Sequence, residues 1–265
     1  LSVGIGPSST TDDISGLLNL SRSSDGFLQE AHPKFKPVDT QVPGIFLAGT
    51  IQGPKDIPDT VAQASGAASR AVRLMNRGKY YFEPLTAFVD GEKCTGCGVC
   101  IEKCPTGAIT PGAETVSVDK AACTGCGSCI SHCPEEALDL HLYSNTQLLD
   151  QVELALKDRG DEPRVLIFAD DMTAYRLADN VGTAKELYSP FSRIIRVPAP
   201  CRVTPKLILQ SFGMGADFVL IMGTETRSSQ YPQCQEEIND TVKKVSEIFE
   251  GSGISSERVR NMTLV

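Results

Sequence analysis

Two copies of one cysteine run stand in this chain: Cys94-Thr-Gly-Cys97-Gly-Val-Cys100-Ile-Glu-Lys-Cys104-Pro105, and then Cys123-Thr-Gly-Cys126-Gly-Ser-Cys129-Ile-Ser-His-Cys133-Pro134. Three thiolates spaced so closely in one loop can reach three irons of a 4Fe–4S cubane. The fourth, followed by proline, points away and serves the other cluster. The spacing therefore predicts one centre on Cys94, Cys97, Cys100 and Cys133, and a second on Cys123, Cys126, Cys129 and Cys104. The glycines between the cysteines let the backbone fold tightly around inorganic sulfide and present N–H groups to it. Pro105 and Pro134 end each loop with a fixed φ. Zinc sites and disulfide frameworks also use Cys-x-x-Cys pairs. Zinc favours two separated pairs, however, and a disulfide scaffold is expected to come with a secretory signal, which this sequence does not show. A 4Fe–4S centre moves one electron at a time and binds no substrate, so this segment is expected to be wiring.

The elements that must hold these loops follow from shifts in composition. Residues 1–78 are rich in Gly, Ala, Ser and Thr, residues 79–145 carry all but two of the ten cysteines, and residues 146–265 alternate strand-like and helix-like stretches. A chain of 265 residues that is 41% hydrophobic and 22% charged has room for two or three globular modules. A net charge of −8 argues against a nucleic-acid partner. No apolar run approaches the ~20 residues needed to span a bilayer, so direct membrane insertion is not expected. Cluster cysteines call for a reducing cytoplasm. No catalytic residue is expected: the sequence holds no Ser–His–Asp set, Walker loop or His-Glu-x-x-His. His32, His132 and His141 have no partner legible in sequence. His132, beside Cys133, could place an N–H near sulfide, but a solvated turn residue is the plainer reading.

In the first segment, Gly44-Ile-Phe-Leu-Ala-Gly49 reads as a strand, Thr50 to Asp56 as a loop, and about Asp59 to Arg77 as a helix stopped by Gly78. Asp56 or Asp59 is the expected N-cap. The helix is so rich in Ala, Ser and Gly that something must pack very close to it. A strand, a glycine turn and a helix N-terminus make a site for an electron-rich group, although a helix packed closely on a sheet has the same signature. Gly4-Ile-Gly-Pro-Ser-Ser9 lacks the third glycine of a dinucleotide fingerprint and has Pro7 where the helix should begin, so Asp25 is not expected to bind a ribose.

In the last segment, strands are expected at Arg164–Phe168, Arg193–Val197 and Asp217–Met222. Helices are expected near Ala174–Leu187, Lys206–Phe212 and Gln233–Phe249, after a connecting helix within Tyr143–Lys157. Short apolar runs between amphipathic helices argue for a small parallel sheet covered on both faces.

The stretch Gly44 to Gln63, preceded by Glu30-Ala-His-Pro-Lys-Phe-Lys-Pro-Val-Asp39 and followed by the two cysteine runs of a bacterial two-cluster ferredoxin, resembles the A subunit of heterodisulfide reductase. It is equally similar to subunits of the related quinone-interacting membrane-bound oxidoreductases. The resemblance implies an α/β and α+β multidomain chain. Residues 1–78 would be the C-terminal portion of a thioredoxin-reductase-like FAD domain, and residues 79–145 a ferredoxin domain with two 4Fe–4S clusters. It also implies flavin contacts at Gly49, Thr50, Gln52, Gly53, Lys55, Asp56, Ile57, Thr60 and Val61. Thr50 stands where many such flavoproteins have Asp, which weakens its ribityl contact. The pyrophosphate-binding half of the FAD domain is missing here. Either another chain supplies it or this sequence is part of a longer protein, and a split flavoprotein is the preferred expectation.

Residues 146–265 resemble the small iron–sulfur subunit of methyl-viologen-reducing hydrogenase. The landmarks are Tyr175 with Ala178-Asp179, Ile195-Arg-Val197, Arg202 with Pro205, Gly215-Ala-Asp217, Gly223, Tyr231 and Glu257-Arg-Val259. The family's cluster cysteines fall at Asp170, Thr173, Ala199, Thr224 and Ser229, none of which is Cys. Cys201 and Cys234 lie beside those positions. This domain is therefore expected to keep its fold but not its cluster, with Cys201 a loop thiol. The resemblance implies an electron-transfer component of a cytoplasmic FAD-containing complex in which the flavin can split an electron pair. Its partners would be other subunits of that complex, including a chain with the N-terminal half of the FAD domain, and a ferredoxin-type carrier. The alternatives are a membrane-linked quinone relay and a flavin-free chain for docking and relay.

Overall fold

A computed structural model describes residues 4–18, 20–79, 85–157, 162–224 and 231–264. Contacts divide the chain into two compact units, Leu1–Tyr81 with Glu225–Pro232, and Phe82–Thr224 with Gln233–Leu264.

The first unit has little regular structure besides two helices, α1 (Thr10–Leu18) and α2 (Ile57–Asn76). Asp56 caps α2: its side chain accepts a hydrogen bond of 2.8 Å from the Asp59 N–H, and proline in the first turn costs no hydrogen bond there. Leu20, Leu28 and Leu47 form a small core with Val42, Ile45 and Ile51 packed against it. The strand expected at Gly44–Gly49 does not form. Phe46 makes only an isolated bridge to Asp39, and a lone segment without a second partner has no ladder to join. A bidentate ion pair from Arg70 to Asp39, 2.6 Å at its closest, ties α2 to this segment. No residue of α2 is buried, and Ile57, Val61, Val72 and Met75 are exposed.

The second unit begins with a pseudo-repeat. Strand β1 (Ala87–Val89) pairs antiparallel with β4 (Leu138–Leu140), and β2 (Ile109–Pro111) pairs with β3 (Val116–Val118). Each cysteine run contains one helical turn, α3 (Val99–Glu102) in the first and α4 (Ser128–Ser131) in the second.

After α5 (Asn145–Leu156), which starts in a Ser144–Gln147 capping box, comes a four-stranded parallel sheet. Its strands are β5 (Val165–Asp170), β6 (Ser192–Val197), β7 (Phe218–Thr224) and β8 (Val259–Leu264), in the order β6-β5-β7-β8. The intervening helices are α6 (Ala174–Thr183), α7 (Pro205–Gly213) and α8 (Cys234–Gly251). Leu166, Phe168, Val219 and Ile221 enter one core with Leu148 and Val152 of α5, Leu207 and Ile208 of α7, and Ile238, Val245 and Phe249 of α8. The alternate strand residues Val165, Ile167, Leu220 and Met222 are only half-buried, and α6 buries Ala174 alone. The expected parallel sheet forms, with α6 packed against β5 and β7 outside the core that α5, α7 and α8 share with it.

Candidate metal centre

The two cysteine loops have the same local architecture. Glycines occupy left-handed backbone at Gly96 (φ 68°) and Gly98 (φ 81°) in the first, and at Gly125 (φ 69°) and Gly127 (φ 89°) in the second. That conformation turns the chain back under the sulfurs, and a Cβ would oppose it. Cys94, Cys97, Cys100 and Cys133 line one pocket together with Val116, Ala137 and Leu138, so the fourth cysteine of the second run does join the first loop. Electrostatic coupling repeats this grouping. Cys100 interacts with Cys133, Cys97 and Cys94, and Cys129 with Cys126, Cys123 and Cys104 ahead of Cys100 of the other loop.

Backbone N–H groups point at three of the sulfurs. Ala108 donates to Cys104 Sγ at 3.2 Å, Ala137 to Cys133 Sγ at 3.3 Å and Ala87 to Cys123 Sγ at 3.4 Å. Such contacts favour negative charge on sulfur. Burial acts the other way: it is the main reason that the Cys100 and Cys129 thiols are raised and that Cys126 is pushed up to about 12. Groups that resist ionisation in a dry pocket become good ligands once iron replaces their protons. Among the described residues no three Cys, His, Asp or Glu side chains converge to hold a single ion. Two sets of four thiols with N–H donors beside them fit a 4Fe–4S group in each.

The two sites differ in their surroundings. Cys97 is exposed, and a Cβ at Gly98 would meet nothing within 4 Å. Cys126 and Cys129 are buried beneath the turn Pro200–Arg202 and the start of α8. Cys201 Sγ lies 3.5 Å from the Cys126 carbonyl oxygen, Ser128 Oγ donates to Glu237 at 2.6 Å, and Lys206 pairs with Glu136 at 2.6 Å. Arg202 is fully buried and donates from Nε to the Tyr143 carbonyl (2.9 Å) and from Nη2 to Asp139 (3.0 Å) and Asn145 (2.9 Å).

The expectation of a loop thiol at Cys201 is corrected. This residue is bonded to Cys234 at the head of α8, with a Cα–Cα distance of 4.8 Å, and both are buried. Their separation in sequence hides this pairing. Asp170, Thr173 and Thr224 come together at the C-terminal ends of β5 and β7, where the strand order reverses. Asp170 accepts from the Ala174 N–H (2.7 Å) and from Thr224 Oγ1 (2.9 Å), and Thr173 bonds Thr224. Ala199 is fully buried, and Ser229 lies outside the described residues. The three histidines have local partners: Lys34 and Phe35 N–H groups donate to His32, His132 bonds the Ser128 carbonyl, and His141 stacks on Phe88.

Of the flavin-contact candidates, Gly49 is buried in left-handed backbone (φ 78°), with Thr60 Cγ2 3.1 Å from where its Cβ would be. Thr50, Asp56, Ile57 and Val61 are exposed, and Gln52, Gly53, Lys55 and Thr60 half-buried. Two residues that sequence reasoning misses hold this turn. Gln63 accepts from the Gly49 N–H at 2.7 Å and bonds Gln52, which donates to Glu30 at 2.5 Å. The signal that could have found them is a polar Gln63 among the small residues of α2, within reach of Gly49.

A family model described as a 4Fe-4S dicluster domain matches residues 86–137, and one described as the delta subunit of methyl-viologen-reducing hydrogenase matches residues 165–264. Fold and site thus define an iron–sulfur protein in which a 4Fe–4S dicluster domain is joined to a parallel α/β domain. Its homologues are oxidoreductase subunits: over 99% of its length the chain is homologous to the A subunit of heterodisulfide reductase. It is 37% identical over 262 residues to the A subunit of the ferredoxin:CoB-CoM heterodisulfide reductase of Methanosarcina mazei. It is 50% identical over 160 residues, 60% of the chain, to the A subunit of the H(2):CoB-CoM heterodisulfide,ferredoxin reductase of Methanothermobacter thermautotrophicus. The chain spans 33% of the length of the first relative and 24% of the second. Among the described residues, no helix is long and apolar enough to cross a membrane.

Proposed function

We propose that this chain is the iron–sulfur electron-transfer part of a cytoplasmic, heterodisulfide reductase-like, FAD-containing complex. Its modules are residues 1–78, 79–145 and 146–265. Cys94, Cys97, Cys100 and Cys133 hold one 4Fe–4S cluster, and Cys123, Cys126, Cys129 and Cys104 the other. The clusters supply one-electron transfer between the flavin and a ferredoxin-type partner, and in such a complex the flavin splits an electron pair between two routes. The observation that carries this reading is the interleaving of the two cysteine runs, with the first site open at Cys97 and the second enclosed.

The flavin site is shared with the other half of the FAD domain, carried by a further stretch of protein or by a neighbouring chain. The uncovered apolar residues Ile57 and Val61, at the start of a helix with no buried residue, support such a neighbour. One observation favours a flavin-free relay instead: the Gly49 N–H is already taken by Gln63.

Anaerobic purification with co-purifying chains, followed by iron, sulfide and FAD counts, tests both readings. About eight irons per chain are expected from two 4Fe–4S centres, with FAD retained only when the partner half is present. Eight irons without flavin under any condition would leave the relay alone, and an iron-free protein would end both readings.

A further inference from the structure

The α/β module reaches the second cysteine loop with a charge. Arg202 is fully buried, its Cα and Cδ lie 2.9 Å from where a Cβ of Gly127, between Cys126 and Cys129, would be, and its guanidinium pairs with Asp139 at 3.0 Å. Two of its nitrogens are hydrogen-bonded, but Nη1 has no partner among the described residues. A guanidinium stays charged in a protein, and an unpartnered N–H on it is costly to bury. Neither the ion pair with Asp139 nor the hydrogen bonds to Tyr143 and Asn145 use that nitrogen.

From α8 comes the opposite charge. Glu237 accepts from Ser128, and its second oxygen, Oε2, is likewise buried without a partner among the described residues. Enclosure in a low-dielectric wall and a carboxylate alongside both disfavour adding an electron to a group bound by Cys123, Cys126, Cys129 and Cys104, because reduction adds negative charge. Arg202 is the buried cation that opposes them.

We propose that Arg202 is a positioning residue for electron transfer that holds up the reduction potential of the second site, so that the α/β module contributes electrostatics to a centre it does not ligate. This rests on the reading that both cysteine sets hold clusters. The sign follows from charge: removing Arg202 lowers the potential, and removing the charge of Asp139 or Glu237 raises it.

The test is an anaerobic potentiometric titration of the chain, followed by electron paramagnetic resonance, with Cys104→Ser used to identify the second site's wave. In Arg202→Gln that wave should move negative, with the reduced-to-oxidised ratio at fixed potential falling about tenfold, or about 59 mV for a one-electron couple. Arg202→Lys should recover most of the shift, and Asp139→Asn and Glu237→Gln should move the same wave positive. A structural loosening would move all variants one way, so shifts of one sign, or an unmoved wave, overturn the proposal. If Arg202→Gln does not assemble, the two carboxylate variants decide: a wave unmoved in both overturns it. A chain with no iron at all would instead refute the cluster reading beneath it.

Discussion

Gly127 lies directly on the backbone of Arg202: a Cβ at position 127 would sit 2.9 Å from the Arg202 Cα. The equivalent glycine of the first loop, Gly98, would place its Cβ in open space. Both have positive φ, so alanine at either costs about 1–2 kcal/mol of backbone strain. Only Gly127→Ala also collides with a backbone atom that cannot swing away. Gly98→Ala should keep its full iron content, whereas Gly127→Ala should lose about half, with the second site's signal missing. Equal iron in the two variants would show that the contact does not matter to the site.

The crossing of the fourth cysteines predicts complementary losses. Cys133→Ser should remove the signal of the exposed first site, although it lies in the second run, and Cys104→Ser should remove that of the enclosed site. Each variant should retain about four irons. The measurement is iron content with paramagnetic resonance of the reduced chain. Loss of the same-run cluster in either variant would contradict the pooling of Cys133 with Cys94, Cys97 and Cys100 in one pocket.

Asp170 predicts a pH dependence. Burial, the largest cause, raises its carboxyl above the ordinary value despite hydrogen bonds from Ala174 and Thr224. A raised folded pKa means that the native state holds this proton more tightly than the unfolded chain. Its contribution to stability is therefore greatest below the unfolded value of about 4 and declines as pH rises through the folded pKa. Asp170→Asn removes this ionisation. Denaturant midpoints measured upward from about pH 4 should fall less with rising pH in the variant than in the parent, and parallel profiles would exclude Asp170 as the cause.

Asp56 is both a flavin-contact candidate and the cap of α2. Asp56→Ala leaves the Asp59 N–H without its partner and should cost about 1 kcal/mol, whereas Asp56→Asn, an equally good cap, should cost only a few tenths. Denaturant titration followed by circular dichroism checks this. If both variants retain FAD alike in the assembled complex, the residue's role is the cap alone.

Elements with a local cause were legible in the chain. The helix of residues 57–76 follows from an Asp cap, a Pro in the first turn and a long stretch of small residues. The strands β5, β6 and β7 follow from short apolar runs between helices. The edge strand β8 was not legible: Arg260 and Asn261 interrupt its apolar pattern, and it forms because the free edge of β7 offers it a ladder. The strand expected at residues 44–49 fails for the converse reason, because only an isolated bridge is offered to it.

By itself, the sequence determined which three thiols of each run meet, because Cys-x-x-Cys-x-x-Cys spacing with glycines between the cysteines dictates a tight loop within a dozen residues; the fourth reaches the other loop through the fold. What surrounds the two sites was decided only by the tertiary structure. Arg202, Glu237 and the Cys201–Cys234 bond reach the second loop from far along the chain, through packing of a sheet and a helix. Two nearly identical motifs therefore differ, one open at Cys97 and the other enclosed between opposite charges, because burial and charge depend on neighbours in space.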